Sequence, residues 1–423
     1  MESQTFIIIA VLILGFGLVS GRLQKSIITP PMVFVVFGML VSGHVLGLLE
    51  LDARGELAET LAELTLILVL FTDASRINLK ILRREFHLPL RLLAIGMPLT
   101  ILFGAFVAIW VCGYLTFWEA AVVAAILAPT DAALGQAVVS NERVPVRIRQ
   151  ALNVESGLND GIALPVVLVL LALAEMSQQT DLGIYWLRFA MLQVILGPLV
   201  GIAVGFVGGK LVYLGMRTKW MNHSFQQLSA LAISFLAFFV AEAVGGNGFI
   251  SAFCAGLTLG NTSRAICQCL YDFAETEGQL LALLTFMIFG AALVWPAADH
   301  LSWSVITYGV LSLTVIRMIP VALSLFRGGF QPDTVIFLGW FGPRGLASIL
   351  FALLVLGRTN ISHRDEIFTI VIVTVFLSVF AHGLTAWPAS KWYAGRAEGM
   401  KDEPDMEELV PVTEMPVRIG FRE

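Results

Sequence analysis

An all-α polytopic membrane fold of about thirteen transmembrane helices is predicted for this chain by three observations. Hydrophobic residues make up 57% of its 423 positions and charged residues 13%, against about 25% charged in soluble domains, and the mean hydropathy is +0.85. Apolar runs long enough to span the hydrocarbon as helices, about 20 residues each, recur from one end to the other. Two of the later runs are interrupted by a proline beside a charged residue, the mark of discontinuous helices in an inverted-repeat membrane architecture.

The start, Met1-Glu2-Ser3-Gln4, lacks the positive region of a signal peptide, so the apolar stretch from Thr5 to Ser20 is read as a retained first helix. The runs lie near 4–22, 28–49, 57–75, 88–113, 117–140, 147–174, 184–214 and 224–243, followed by 247–262, 277–296, 302–326, 333–357 and 366–389. The 247–262 run is the shortest of them. One set of alternate loops carries 20 of the 26 Lys and Arg residues, and the other carries only Arg54, Arg188, Arg358 and Arg364; Arg317 and Arg344 fall inside apolar runs. That asymmetry predicts an external N-terminus and a cytoplasmic C-terminus in the cell membrane, and a missed helix would have blurred it by swapping every later loop. Beyond Trp387-Pro388 the chain turns polar and acidic, so 391–423 is expected to be a short solvated cytoplasmic tail.

The net charge of −5 and the short, separated basic clusters argue against nucleic acid as a partner. Cys112, Cys254, Cys267 and Cys269 form no CxxC pattern, so neither a disulfide framework nor a zinc site is expected, and no cofactor motif is present. The six histidines, His44, His87, His223, His300, His363 and His382, are scattered, mostly at helix ends; pH sensing is the one role their chemistry suggests.

Chemistry concentrates in Asn153-Val154-Glu155-Ser156-Gly157-Leu158-Asn159-Asp160-Gly161, which carries two acids into an apolar run. A charge at the bilayer centre costs about 2.5 to 3.5 kcal/mol on insertion scales, so such acids are paired or line an ion pathway. On a helix Glu155 and Asn159 share one stripe, Ser156 and Asp160 the adjacent one. Four oxygen-bearing side chains thus crowd one sector, and Gly157 and Gly161 let a neighbouring helix approach. A polar helix end at the surface is the bland alternative, and the apolar residues directly after Gly161 argue against it.

In Ala128-Pro129-Thr130-Asp131 and again in Gly342-Pro343-Arg344-Gly345, Pro129 and Pro343 remove a helical hydrogen bond in mid-membrane and free carbonyls that a cation can use. Asp131 and Arg344 are expected to compensate the half-helix ends, the acid at N-termini and the arginine at C-termini. Arg317 is a permanent charge in an apolar helix and needs an anion, for which Glu155 is the candidate. Glu242, Asn247 and Ser251 form a glycine-rich join that capping explains as well as a pathway does. Asp73 is expected at the interface beside Arg76, and Glu63 has no assigned role.

These three motifs together resemble the NhaP-type sodium/proton antiporters of monovalent cation:proton antiporter family 1, relatives of the eukaryotic sodium/proton exchangers; the match spans nearly the whole chain. The resemblance implies NhaA-like inverted repeats with two discontinuous crossing helices within 1–390. It further implies a homodimer, with a core domain (about 86–175 and 302–390) moving against an interface domain (about 1–85 and 184–296). It implies a cation site of Thr130, Asp131, Ser156 and Asp160, where Na⁺ and protons compete for Asp160, with Glu155 in the same polar group and Asn159 as the mark of electroneutral exchange. Glu155 and Arg317 match the family's ion pair. Li⁺ or K⁺ suits the same hard oxygen ligands. An intramembrane aspartyl hydrolase would use Asp131 and Asp160 as a proton-sharing dyad, but leaves Pro129, Asn159 and Arg344 without a role. A channel would need a ring of filter residues, and no filter-like segment is present.

Overall fold

The computed structural model describes residues 2–23, 26–49, 55–85, 87–131, 134–178, 183–262, 278–357, 360–400 and 406–414. Arg54, Cys267, Cys269 and Arg358 lie outside these described residues, as does the rest of the tail. In chain order the helices are α1 (Glu2–Leu23), α2 (Pro30–Val41), α3 (Glu56–Arg76) and α4 (His87–Val111), then α5 in two parts (Phe117–Ile126 and Gln136–Val139). They continue with α6 (Val146–Gln178), α7 (Gly183–Arg217), α8 (His223–Ala243), α9 (Gly248–Thr262), α10 (Gly278–Asp299) and α11 (Trp303–Leu325). Last come α12, split into α12a (Pro332–Trp340) and α12b (Leu346–Leu356), and α13 (Arg364–Gly399). Among the described residues the one extended pairing is an isolated bridge between Ser42 and Leu49. This is the all-α polytopic membrane fold that composition predicts: α4, α6, α7, α8, α10, α11 and α13 are long and apolar enough to cross a bilayer, and shorter apolar helices accompany them.

Local chemistry sets the helix ends. Thr116 accepts the Glu119 N–H while Glu119 accepts the Thr116 N–H, a reciprocal capping box that starts α5. Asn222 caps α8 by accepting from Phe225, and proline opens α2 and α12a where a missing N–H costs nothing. Inside α4 and α10, π-helical turns at Leu92–Gly96 and Phe289–Leu293 lie just ahead of Pro98 and Pro296. Each proline lacks the N–H that would bond four residues back, and the local backbone rearranges around the orphaned carbonyl. α11 is not the continuous helix expected: at Thr314 (φ −113°, ψ −95°) it breaks, so that Arg317 lies in the first turn of a new run, Val315–Leu325.

Packing gathers α4, α5, α6, α11, α12 and α13 around one another and sets α3, α7 and α8 around α9, with α2 against α10. α9 approaches α3 closely because Gly256 and Gly260 recur at four-residue spacing; a Cβ at either would overlap the carbonyl of Phe71 or Ser75. α7 turns Leu199, Ile202, Phe206 and Leu211 outward, whereas α13 is lined with buried residues along most of its length.

The tail departs from expectation. α13 runs on to Gly399, and residues 406–414 dock rather than extend into solvent. Glu408 is fully buried and accepts from the Gln331 N–H at 2.7 Å and the Thr334 hydroxyl at 2.8 Å, at the start of α12a. Glu407 pairs with Arg147, and Glu414 with Arg149 at 2.9 Å, both at the start of α6. Acids that looked like a solvated run find donors at a helix N-terminus, where negative charge is stabilised, and arginines that the apolar pattern marked only as loop charges.

Candidate functional site

The two breaks meet. α5 loses its helix after Ile126 and α12 after Trp340, and the irregular stretches 127–131 and 341–345 lie against each other. The Asp131 N–H donates to the Pro343 carbonyl at 2.8 Å, and the Leu346 N–H donates to Asp131 Oδ2 at 2.9 Å. The carboxylate therefore sits at the N-terminus of α12b, where it accepts a backbone N–H and complements the positive end of the helix dipole. Gly345 is what allows this approach, since a Cβ there would overlap the Asp131 carboxylate. Ser348 donates to the Ile126 carbonyl at 2.8 Å, so that freed carbonyl is taken by a side chain and not left for a cation.

Arg344 is fully buried; its backbone N–H donates to Ser378 Oγ at 2.6 Å and its guanidinium to the Gly342 carbonyl at 2.5 Å. Its positive charge thus folds back to the end of α12a, complementary to the dipole there. Gly342 is wedged between two site residues: a Cβ would stand 2.6 Å from Arg317 Nε and 3.1 Å from Thr130 Cγ2.

α6 brings its polar sector to the same crossing. Asn159 Nδ2 donates to Thr130 Oγ1 at 2.7 Å, and Thr130 Oγ1 is 3.0 Å from Ser156 Oγ. Asn159 Oδ1 is buried and accepts no hydrogen bond among the described residues, which leaves an oxygen with capacity for a ligand. Asp160, one turn beyond Ser156, is 9% exposed and Asp131 and Ser156 are each 8% exposed, whereas Thr130 is 3% and Asn159 2% exposed. The Phe253 ring of α9 packs directly on Gly161. Pro165 lacks the N–H that would bond the Gly161 carbonyl, which follows Asp160 in the chain.

Glu155 points elsewhere: Arg317 Nη2 donates to its Oε1 at 2.5 Å, and both residues are buried. The polar join after α8 consists of caps. Glu242 accepts from the Gly248 N–H, Asn247 accepts from the Ile250 N–H, and Ser251 donates to the Ala237 carbonyl. Sequence reasoning did not single out Ser348, Ser378 or Glu119, and grouped His382 with histidines at helix ends, whereas it is buried within α13. Thr116 and Glu119 carried a capping-box spacing that was readable; the serines carried no signal beyond small polar residues in apolar helices.

Comparison with known proteins gives the family and the fold. A family model described as "Sodium/hydrogen exchanger, transmembrane" matches residues 7–392. The chain is 27% identical over 381 residues to a protein of Alkalimonas amylolytica named K(+)/H(+) antiporter NhaP, covering 89% of this chain and 64% of that relative. It is 24% identical over 399 residues to the Low-affinity Na(+)/H(+) antiporter NhaS1 of Synechocystis, covering 88% of this chain and 72% of the relative. The solved structure of the sodium proton antiporter MjNhaP1 from Methanocaldococcus jannaschii superposes with a TM-score of 0.77 at 20% identity, over 93% of this chain and 99% of that one. The chain thus spans somewhat under two thirds of the Alkalimonas protein and shares the fold of the archaeal structure.

Proposed function

Because this chain belongs to the sodium/hydrogen exchanger family, we propose that it is a secondary-active antiporter, not an enzyme, exchanging one monovalent cation for one proton by alternating access. The observation that carries this reading is the crossing at which Asn159 and Ser156 of α6 meet Thr130 while Asp131, next in the chain, accepts from Leu346 of α12b. It gathers oxygen ligands suited to a hard monovalent cation one helical turn from the Asp160 carboxylate. Asp160 is the group for which cation and proton compete. A bare buried carboxylate is too costly to carry across lipid, so the site crosses only when a cation or a proton neutralises it. That requirement couples the two fluxes.

Asp131 holds the α12b terminus and presents its remaining oxygen capacity to the ion. Glu155, neutralised by Arg317, orders the core and takes no part in exchange. A dyad hydrolase would need the Asp131 and Asp160 carboxyls to share a proton, whereas Asp131 Oδ2 accepts the Leu346 N–H. Na⁺ is the first cation proposed, as in the names of the Synechocystis and archaeal relatives; the Alkalimonas name favours K⁺ as the second reading.

The packing supports a core of α4–α6 and α11–α13 moving against α1–α3 and α7–α10. The outward apolar face of α7 suits lipid or a second copy, in a homodimer. The loop charges favour the cell membrane with the N-terminus outside.

Purified protein in vesicles containing a pH-sensitive dye tests the reading. Na⁺, K⁺ or Li⁺ added in turn should collapse an imposed proton gradient, and Asp160→Asn should abolish the response while the protein still folds. The apparent KM should rise about tenfold per pH unit below the carboxylate's pKa, as competition for one titrating group requires. Full activity in a folded Asp160→Asn protein, or a KM independent of pH on the acid side, would sink the assignment.

A further inference from the structure

We propose that Ser378 and His382 of α13 are positioning residues of the exchange reaction, holding the two ends of the α12 break so that Leu346 meets the Asp131 carboxylate. The proposal rests on the antiport reading above and adds residues to its site. α13 passes the break without interruption, and its i,i+4 spacing sets Ser378 and His382 on one face. Both are fully buried.

The hydrogen bonds form one directed chain. The Arg344 N–H donates to Ser378 Oγ at 2.6 Å, Ser378 Oγ lies 3.1 Å from His382 Nδ1, and His382 Nε2 lies 2.9 Å from the Trp340 carbonyl. A carbonyl can only accept, so Nε2 carries a hydrogen. A backbone N–H can only donate, so Ser378 Oγ accepts from Arg344 and its own hydrogen is left for Nδ1, which also lies 3.1 Å from the Ser378 carbonyl.

Trp340 O, at the end of α12a, accepts the Gly342 N–H at 2.8 Å and has a second lone pair for His382, and the Arg344 N–H falls in the break, where no helical acceptor exists. α13 therefore ties the backbone on each side of Pro343. A further tie lies at the next turn, where the Trp340 indole N–H donates to Thr385 Oγ1 at 2.9 Å. With both ends fixed, the Pro343 carbonyl and the Leu346 N–H are held at the spacing that Asp131 bridges. Thr374, one turn earlier and equally buried, bonds among the described residues only to the Ile370 carbonyl of its own helix, and so offers a control.

The test is cation-driven proton flux in vesicles, with apparent KM and maximal rate measured separately. Ser378→Ala and His382→Ala should each raise the apparent cation KM about tenfold, with a smaller effect on maximal rate, because displacing a ligand by a fraction of an ångström acts first on binding. His382→Gln keeps a donor within reach of Trp340 O and should recover KM to within about threefold of wild type, as retaining one of the two hydrogen bonds implies. Thr374→Ala should leave KM at the wild-type value. If Ser378→Ala does not fold, the Ala and Gln variants of His382 decide alone: equal KM values in the two would overturn the proposal. So would a Thr374→Ala shift as large as that of Ser378→Ala, or unchanged KM in both alanine variants. Absence of exchange by the wild type with Na⁺, K⁺ and Li⁺ would instead overturn the antiport reading and this proposal with it.

Discussion

Arg317 Nη2 lies 2.5 Å from Glu155 Oε1, tying α11 to α6 little more than one helical turn before Asp160, with both groups almost wholly buried. An ion pair so placed is weak evidence for net stability, because desolvation of both charges opposes their attraction; removing one partner is costly, about 3 to 5 kcal/mol, because the other is left buried and uncompensated. Arg317→Gln and Glu155→Gln are therefore expected to lower the thermal midpoint of the purified protein sharply, and Glu155→Gln/Arg317→Gln to recover part of the loss. A double-mutant cycle of thermal unfolding measures the coupling; a coupling indistinguishable from zero would mean that the pair does not order the core.

Gly345 has no room for a side chain. The methyl of Gly345→Ala would overlap the Asp131 carboxylate, forcing it off the Leu346 N–H at a strain of about 1 to 3 kcal/mol. Exchange should fall by about tenfold or more, since that strain acts on a ligand of the ion. Gly357→Ala is the comparison, because a Cβ at the end of α12b meets its nearest neighbour at 3.6 Å, an ordinary contact. Equal activities in the two variants would show that Asp131 need not cap α12b.

The docked segment 406–414 makes the base of the molecule a further test. Glu408→Ala strips the Gln331 N–H and the Thr334 hydroxyl of their acceptor in a buried setting, a loss of about 1 to 3 kcal/mol. The thermal midpoint should drop for Glu408→Ala and for a chain ending at residue 405, and hold for Glu398→Ala, whose side chain is exposed. Unchanged midpoints in all three would mean that the segment is not fastened to α12a.

Much of the site was legible because lipid makes polar residues conspicuous: Asp131, Glu155, Asp160, Arg317 and Arg344 stand out in apolar runs, and Pro129 and Pro343 mark the breaks. What could not be read is what those residues touch. The Asp131–Leu346 bond joins positions 215 residues apart, and nothing in either local sequence specifies it. Ser348 and Ser378 look like the small polar residues that any membrane helix tolerates. The break at Thr314 has no proline or glycine at that position to announce it. The tail misled for a related reason: an acidic run reads as solvated unless the donors awaiting it are known, and Gln331, Thr334, Arg147 and Arg149 come from two distant helices.

The number of carboxylates that titrate decides the electrical character of transport. If Asp160 alone alternates between proton and cation, every crossing carries the same charge, the cycle is one for one, and the membrane potential does no work on it. Asn159 cannot titrate, and Glu155 is paired with Arg317. Asp131 is the remaining acid of the group, and its Oδ2 accepts the Leu346 N–H at the α12b terminus. Were Asp131 nevertheless to release a proton when the cation binds, two protons would return per cation and each cycle would move net charge, biased by about 2.3 kcal/mol per 100 mV. Vesicles clamped with a K⁺ gradient and valinomycin, once K⁺ is known not to be transported, separate the cases. Na⁺-driven proton flux should be equal at zero potential and at about 100 mV of either sign, since no net charge crosses. A flux that changes severalfold with the sign of the potential would make Asp131 a second proton carrier, and its variant Asp131→Asn should then restore voltage independence in whatever exchange remains.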